Sequence, residues 1–297
     1  MAFWRGPMKP ERALLEVHLA VLLFGLAGLF GKWLALSPPV IVLGRVVLAG
    51  LALAAALGFS RQRLWPRRAG HLAVFALMGL VLAVHWATFF KSIQVSTVAV
   101  GLLAYSTFPL FTAFLEPLLL VERLEKLSIL LSLVCLAGVF LIIPRLDLSN
   151  AVVKGLLWGL LSGLSFSVLA VLNRKMTRAY SSLQTAFQQD FFAGVFLCPL
   201  VLSAPLALSA RDIGLLAVLG IVCTAGAHTL FINGMKSLGA RAASLISTLE
   251  PVYGIVLAFF LLKESPASRT MLGGVLIMTS VLIVSLGKSS GRESGVR

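Results

Sequence analysis

Long apolar segments alternate with short polar breaks along the whole of this 297-residue chain. A helix needs roughly 18 or more largely apolar residues to cross the hydrocarbon core of a bilayer, and proline often marks where such a helix ends. Ten segments fit this pattern: Leu14–Leu36, Val40–Phe59, Gly70–Phe90, Val95–Val121, Leu127–Ile143, Ala151–Leu172, Leu183–Leu202, Ile213–Ile232, Ala240–Leu262 and Met271–Leu286. The pattern predicts an all-α integral membrane protein with ten transmembrane helices.

Charged residues make up only 12% of the sequence, and the basic ones lie mainly on one side of the predicted spans. With the N-terminus placed inside, the inner segments hold 17 of the 25 Lys and Arg residues, the outer segments hold 7, and Arg45 lies within a span. Inner loops of membrane proteins carry the excess of Lys and Arg, so we expect both termini in the cytoplasm. This distribution explains the net charge of +14, and we expect no nucleic-acid partner.

Spans four and nine share an internal repeat. A shift of 142 residues places Pro109 on Pro251 and Glu122 on Glu264, with an apolar run between proline and glutamate in both copies. Each half of the chain holds five predicted spans, and because five is odd the second half must enter the membrane the opposite way round. The sequence therefore predicts two inverted five-helix repeats around a central cavity. The predicted repeats are residues 1–148 and residues 149–297.

Several of these features occur together in one known family. They are the ten spans, the Pro-to-Glu spacing in spans four and nine, the Leu249-Glu250-Pro251 motif before a tyrosine, and Arg45 in span two. With them the chain resembles the EamA-type branch of the drug/metabolite transporter superfamily. The resemblance implies two five-helix bundles around a central cavity and alternating access without ATP. It also implies export of amino acids, drugs or other metabolites more often than import.

Ionisable residues inside the spans are the first candidates for function, since such side chains are costly in lipid and usually face a cavity or a partner. They are Arg45, Asp190, Glu250 and, near the end of span four, Glu116. The forked donors of arginine suit a carboxylate or phosphate, and the acidic residues would bind an amine or relay a proton. The alternative is a structural ion pair between Arg45 and Asp190 or Glu250.

The other candidates for substrate binding or coupling are polar or aromatic residues within apolar spans: His85, Trp86, Tyr105, Gln189, His228, Asn233 and Tyr253. The histidines, placed near the outer end of span three and the inner end of span eight, would titrate and gate or make one interfacial hydrogen bond. Trp86 and Tyr105 would stack on a planar solute, unless Trp86 belongs to an interfacial aromatic belt. Pro109 and Pro251 are predicted to kink their helices.

Motifs of other function classes are missing from the sequence. There is no Gly-x-Ser-x-Gly, His-Glu-x-x-His or paired-aspartate motif, and Gly287-Lys288-Ser289 lacks the first glycine of a phosphate loop. Cys135, Cys198 and Cys223 lie singly in apolar segments and are interpreted as packing residues. We therefore expect no catalytic residues, metal or cofactor, and transport that is facilitated or coupled to an ion, with the proton as the candidate.

Together these patterns predict a secondary transporter of the bacterial cytoplasmic (inner) membrane that exports a small organic solute across the lipid bilayer. Import of a nutrient by the same fold stays open. An intramembrane enzyme built on a histidine is the rival class, and a channel is a third interpretation that the sparse polar residues do not favour. The hydropathy pattern is also compatible with a homodimer.

Overall fold

The computed structural model of the chain describes residues 9–120, 126–144, 147–176, 179–203, 207–231, 233–234, 238 and 246–293, and the regular secondary structure of this part is helical. The helices are α1 (Pro10–Trp33), α2 (Pro38–Phe59), α3 (Gly70–Val95), α4 (Val98–Tyr105), α5 (Phe108–Leu120), α6 (Lys126–Ile142), α7 (Ala151–Met176), α8 (Ser182–Leu202), α9 (Ala210–Ala217), α10 (Glu250–Leu262) and α11 (Ser268–Glu293). Helix α9 continues directly into a π-helix, Val218–Gly226.

The helices have the length and apolar character of a multi-pass membrane protein. Seven described helical stretches are long and apolar enough to cross a bilayer, and Ile129–Ile142, Glu250–Leu262 and Ser268–Ile283 are shorter apolar helices. Large apolar side chains such as Leu51, Phe260 and Leu272 remain exposed on the outer faces of the bundle, as expected where lipid is the solvent. The first part of predicted span nine, residues 239–245, lies outside the described residues.

Predicted span four is two helices rather than one. Helix α4 ends at Tyr105 and α5 begins at Phe108, so that Pro109 is the second residue of α5. Pro251 is likewise the second residue of α10. A proline in the first turn of a helix removes an N–H that has no intrahelical acceptor anyway. At both prolines the predicted kink is therefore a new helix that begins there, and not a bend in a continuous helix.

The core lies around α3, which packs against α7 and α8, while α2 packs against α8. Its largest fully buried side chains include Phe30, Phe75 and Phe90. A second apolar cluster joins α6 to α11 and contains Val139 and Ile277. The conserved direction of burial is inward, because the groups that cannot face lipid are the polar ones at the centre of the first cluster.

Helices α1 and α10 approach each other closely at a pair of glycines. A Cβ atom placed on Gly25 would lie 2.8 Å from the backbone N of Gly254 and 2.9 Å from the carbonyl O of Glu250. Small residues allow such backbone contact between membrane helices. The contact sets the first turn of α10, and with it Glu250, directly against the middle of α1.

Polar contacts join three helices at the end of the bundle where α1 ends. The Lys32 Nζ donates to the carbonyl O of Ser96 at 2.6 Å and lies 4.0 Å from Glu264 Oε1. The backbone N–H of Val98, the first residue of α4, donates to Glu264 Oε2 at 2.9 Å. A carboxylate is favourable at this end of a helix dipole. We call Lys32, Ser96, Val98 and Glu264 the α4 N-terminal cluster; Glu122, which the repeat pairs with Glu264, lies outside the described residues.

Candidate functional site

Arg45 of α2 is buried near the centre of the bundle, with only 4% of its surface exposed. Its Nε donates a hydrogen bond to Thr224 Oγ1 at 2.7 Å. The guanidinium carbon lies 3.8 Å from the centroid of the Trp86 ring, which is a cation–π contact. The side chain is thus held by one hydrogen bond and one aromatic face, and these two contacts orient a planar group with five donors.

The π-helix supplies the hydrogen bond to Arg45. The Thr224 hydroxyl donates to the carbonyl O of Leu219, five residues earlier, at 2.7 Å, and accepts from Arg45. A Cβ atom on Gly220 would lie 2.8 Å from the carbonyl O of Arg45, so a larger residue there would push the π-helix away from α2. Short π-helical segments are frequent at functional sites, and here one places a hydroxyl beside a buried charge.

Two carboxylates attract Arg45 without touching it. Asp190 of α8 and Glu250 of α10 both interact with Arg45 electrostatically, yet among the described residues no carboxylate oxygen lies within 4.0 Å of its guanidinium. Asp190 is 3% exposed and its Oδ2 has no hydrogen-bond partner. The direct ion pair considered from the sequence is therefore not formed, and charged groups of both signs remain separated inside one site.

Aromatic rings form one wall of this site. Tyr105, the last residue of α4, stacks on Phe108 with ring centroids 5.4 Å apart at 22°. Phe166 of α7 meets the Phe108 ring at 4.8 Å and the His85 ring at 4.9 Å. Trp86 is 6% exposed, so its predicted alternative as an interfacial belt residue is wrong: it faces Arg45 and not the membrane surface.

His85 lies in the interior of the bundle and not near the outer end of its helix, because α3 runs on to Val95. It is 4% exposed, and its Nδ1 is 2.9 Å from Ser162 Oγ and 3.0 Å from the carbonyl O of Ser162. His228 is half-buried, with its ring 5.4 Å from that of Phe24, and the charge of Arg45 acts on it. Both histidines therefore flank the same group of charges.

The remaining candidates lie elsewhere. The Nε2 of Gln189 donates to Asn173 Oδ1 at 2.7 Å. The Tyr253 hydroxyl lies 2.7 Å from His18 Nδ1, in a small apolar cluster against α1. Asn233 is exposed, contrary to its predicted place in the cavity. The side chain of Glu116 lies outside the described part of the chain.

The site thus combines Arg45, His85, Trp86, Tyr105, Asp190, His228 and Glu250, all of which the sequence marks as candidates. Thr224 and Ser162 are functional neighbours that the sequence interpretation missed. A hydroxyl in a helix gives little signal, because it is satisfied by a backbone carbonyl within its own helix. The one available hint is position, since Thr224 lies four residues before His228 on the same helical stretch.

Comparison with known proteins agrees with this architecture. The sequence pattern of the EamA-like transporter family matches twice, over residues 12–143 and 153–286. The chain belongs to the EamA-like transporter family. It is thus a multi-pass membrane transporter, which implies a small-molecule solute and a lipid bilayer as its partners.

Relatives of this EamA-like transporter are also transporters by name. The uncharacterized transporter YwfM of Bacillus subtilis is 25% identical over 81% of this chain and 82% of its own length. The uncharacterized transporter YxxF of the same organism is 24% identical over 95% and 93%. The S-adenosylmethionine uptake transporter of Rickettsia prowazekii is 23% identical over 74% of each chain. A crystal structure with 21% sequence identity covers 93% of this chain and 97% of its own, with a TM-score of 0.64, and shows the same fold.

Proposed function

We propose that this chain is a secondary, ATP-independent transporter that moves a small organic solute bearing a carboxylate by alternating access. The observation that carries the proposal is Arg45: a buried guanidinium oriented by Thr224 and Trp86. Burying a charge without a direct partner is costly, and such residues in membrane proteins commonly mark the path of a substrate or ion. A carboxylate of the solute would supply the partner that Arg45 lacks.

The acidic residues complete the proposed recognition of the solute. Asp190 has an unpartnered buried oxygen and Glu250 begins α10, and both act on Arg45 electrostatically. An amine on the solute would bind to one of them, and a proton bound there in the empty state would be exchanged for it. This arrangement suits an amino acid or a related zwitterion, with a proton as the coupling ion. The rings around Tyr105 would hold an apolar or planar part of it.

For the architecture we propose ten membrane spans arranged as two inverted five-helix repeats, residues 1–148 and 149–297, with both termini in the cytoplasm of a bacterial cell. Pro109 and Pro251 occupy equivalent places in α5 and α10, which supports the repeat. In this orientation the α4 N-terminal cluster lies on the outer side. Its contacts between Lys32, Ser96 and Glu264 hold that end together, and the opposite end opens toward the cytoplasm.

For direction, we propose export, as in the resembling exporters. Import is the second candidate, and one observation favours it: two relatives, from Rickettsia prowazekii and Rickettsia conorii, are named S-adenosylmethionine uptake transporters. A homodimer stays a prediction, which the mass of the detergent-solubilised protein tests.

Purified protein in liposomes tests the proposal. Amino acids, S-adenosylmethionine, nucleobases and cationic drugs are offered with and without a proton gradient, in both directions. We expect transport of a carboxylate-bearing solute, and its loss in Arg45→Gln, Asp190→Asn and Glu250→Gln. Lys154→Gln, at an exposed position on α7, is the control and should transport normally. Unchanged transport in all three site variants would contradict the assigned site.

A further inference from the structure

A basic pocket lies between the α2–α3 and α7–α8 connections, separate from the site around Arg45. It has a volume of about 400 Å³, and its lining combines three arginines with neutral residues: Arg61, Gln62, Arg63, Arg67, Ala179, Tyr180, Ser181 and Gln184. The lining contains no acidic residue in the part of the chain that the structure describes. Three positive charges therefore surround one concave space without a protein counter-charge.

Side chains of α8 fix the backbone of this pocket. The Gln188 Nε2 donates to the carbonyl O of Leu64 at 2.6 Å, and the Gln184 Nε2 donates to that of Trp65 at 3.0 Å. The Ser181 hydroxyl donates to Gln62 Oε1 at 2.7 Å. Because both connections are tied together, the arginines project from a defined frame and not from a free loop.

Apolar side chains stand next to the arginines on the same connection. Trp65 is 49% exposed and Leu64 is 37% exposed, and the edge of the Trp65 ring meets Phe191 of α8 at 5.1 Å. Tryptophan is enriched at the boundary between the hydrocarbon core and the headgroups. The connection therefore carries an apolar anchor for that boundary beside a cluster of cations.

Charge and position together suggest the ligand. Clusters of Lys and Arg next to a membrane helix attract anionic lipids, and arginine binds phosphate oxygens through paired donors. A general excess of inner basic residues would explain exposed charges such as Arg68. It does not explain why three arginines surround one pocket whose frame is held by hydrogen bonds from α8.

We propose that this pocket binds the phosphate of an anionic phospholipid headgroup, with Arg61, Arg63 and Arg67 as its donors and Trp65 seated among the adjoining acyl chains. The same oxyanion chemistry is offered by free phosphate, but free phosphate has no use for the exposed Trp65. The lipid would tie the α2–α3 connection to α8 and so to the helix that carries Asp190. The site does not depend on which solute is transported or in which direction.

Native mass spectrometry of the full chain in detergent tests the proposal, with soluble short-chain phosphatidylglycerol and phosphatidylcholine as probes. We expect one tightly held phosphatidylglycerol and no comparable phosphatidylcholine. An Arg63→Gln substitution should weaken phosphatidylglycerol binding about fivefold, and R61Q/R63Q/R67Q about a hundredfold, since each arginine near an anionic lipid contributes a similar factor. Trp65→Ala should weaken lipid binding and leave the binding of inorganic phosphate unchanged.

The matched control removes the same charge elsewhere: K154Q/R211Q/R269Q alters three exposed basic residues outside the pocket and should keep the affinity of the unmodified chain. Equal affinity in the two triple variants would overturn the site. Displacement of the lipid by inorganic phosphate at equal concentration would overturn the lipid assignment. If R61Q/R63Q/R67Q does not fold, the single variants Arg63→Gln and Arg67→Gln give the same comparison.

Discussion

Thr224→Val is the substitution that most directly tests how the protein orients its buried arginine. Valine has nearly the shape of threonine but cannot accept the 2.7 Å hydrogen bond from Arg45 Nε or donate the 2.7 Å bond to Leu219. Arg45 is 4% exposed, so water replaces the lost acceptor poorly. Hydrogen bonds to charged groups contribute about 1.5–3 kcal/mol, and the loss of one corresponds to roughly a 10- to 100-fold change in an equilibrium constant.

We expect this loss in solute affinity, because a guanidinium held only by Trp86 no longer presents its remaining donors in one direction. In liposomes the KM for the transported solute should rise at least about tenfold in Thr224→Val, as expected from the lower end of that range. Thr224→Ser retains the hydroxyl and should remain within about twofold of the unmodified chain, well inside the value of one neutral hydrogen bond.

Thermal unfolding in detergent separates positioning from folding. A purely structural role would lower the unfolding temperature of Thr224→Val and reduce the amount of active protein, while KM stays the same. A positioning role raises KM in the protein that remains folded. If valine and serine at position 224 give the same KM and the same unfolding temperature, the proposed orientation of Arg45 by this hydroxyl is wrong.

Two further predictions concern the ends and the packing of the bundle. Glu264→Gln removes the 4.0 Å ion pair with Lys32; a partly exposed pair contributes up to about 1 kcal/mol, so labelling by a polar thiol reagent of a cysteine introduced at the buried position Ile93, in a chain without other cysteines, should rise up to about fivefold, and unchanged labelling would count against closure by this cluster. Gly25→Ala places a methyl group 2.8 Å from a backbone N of α10 and should lower stability by about 1–3 kcal/mol in thermal unfolding, whereas Gly58→Ala, with open space around it, should not; equal stability would refute the close contact.

Most of the helices could be predicted from the sequence, because lipid requires apolar segments of a fixed minimum length. Span seven, predicted from Leu183, begins at Ser182. The break at Ser106 and Thr107 was not predicted, since both hydroxyls donate to backbone carbonyls three residues earlier and leave no polar gap in the pattern. The π-helix was invisible for a related reason: hydropathy records which residues avoid water, not which carbonyl each N–H reaches.

The charged part of the candidate site could be found because an arginine in a membrane helix is costly wherever it points. What surrounds Arg45 could not, since it depends on how α2, α8 and the π-helix pack. Sequence reasoning left a direct ion pair with Asp190 open, whereas the described contact of Arg45 is with a neutral hydroxyl. It also placed His85 near a helix end, because the polar residues after Phe90 hid the last turn of α3.

The π-helix at Val218–Gly226 also stores spare chain length. Each of its turns holds one residue more than an α-helical turn, so deletion of one residue there can be absorbed by conversion to α-helix. Such a deletion would leave the span intact but rotate the following stretch by roughly 100° about its axis, since an α-helix has 3.6 residues per turn. His228 would then turn away from Phe24, and a shortened protein could insert and fold normally while one face of its translocation path had changed partners.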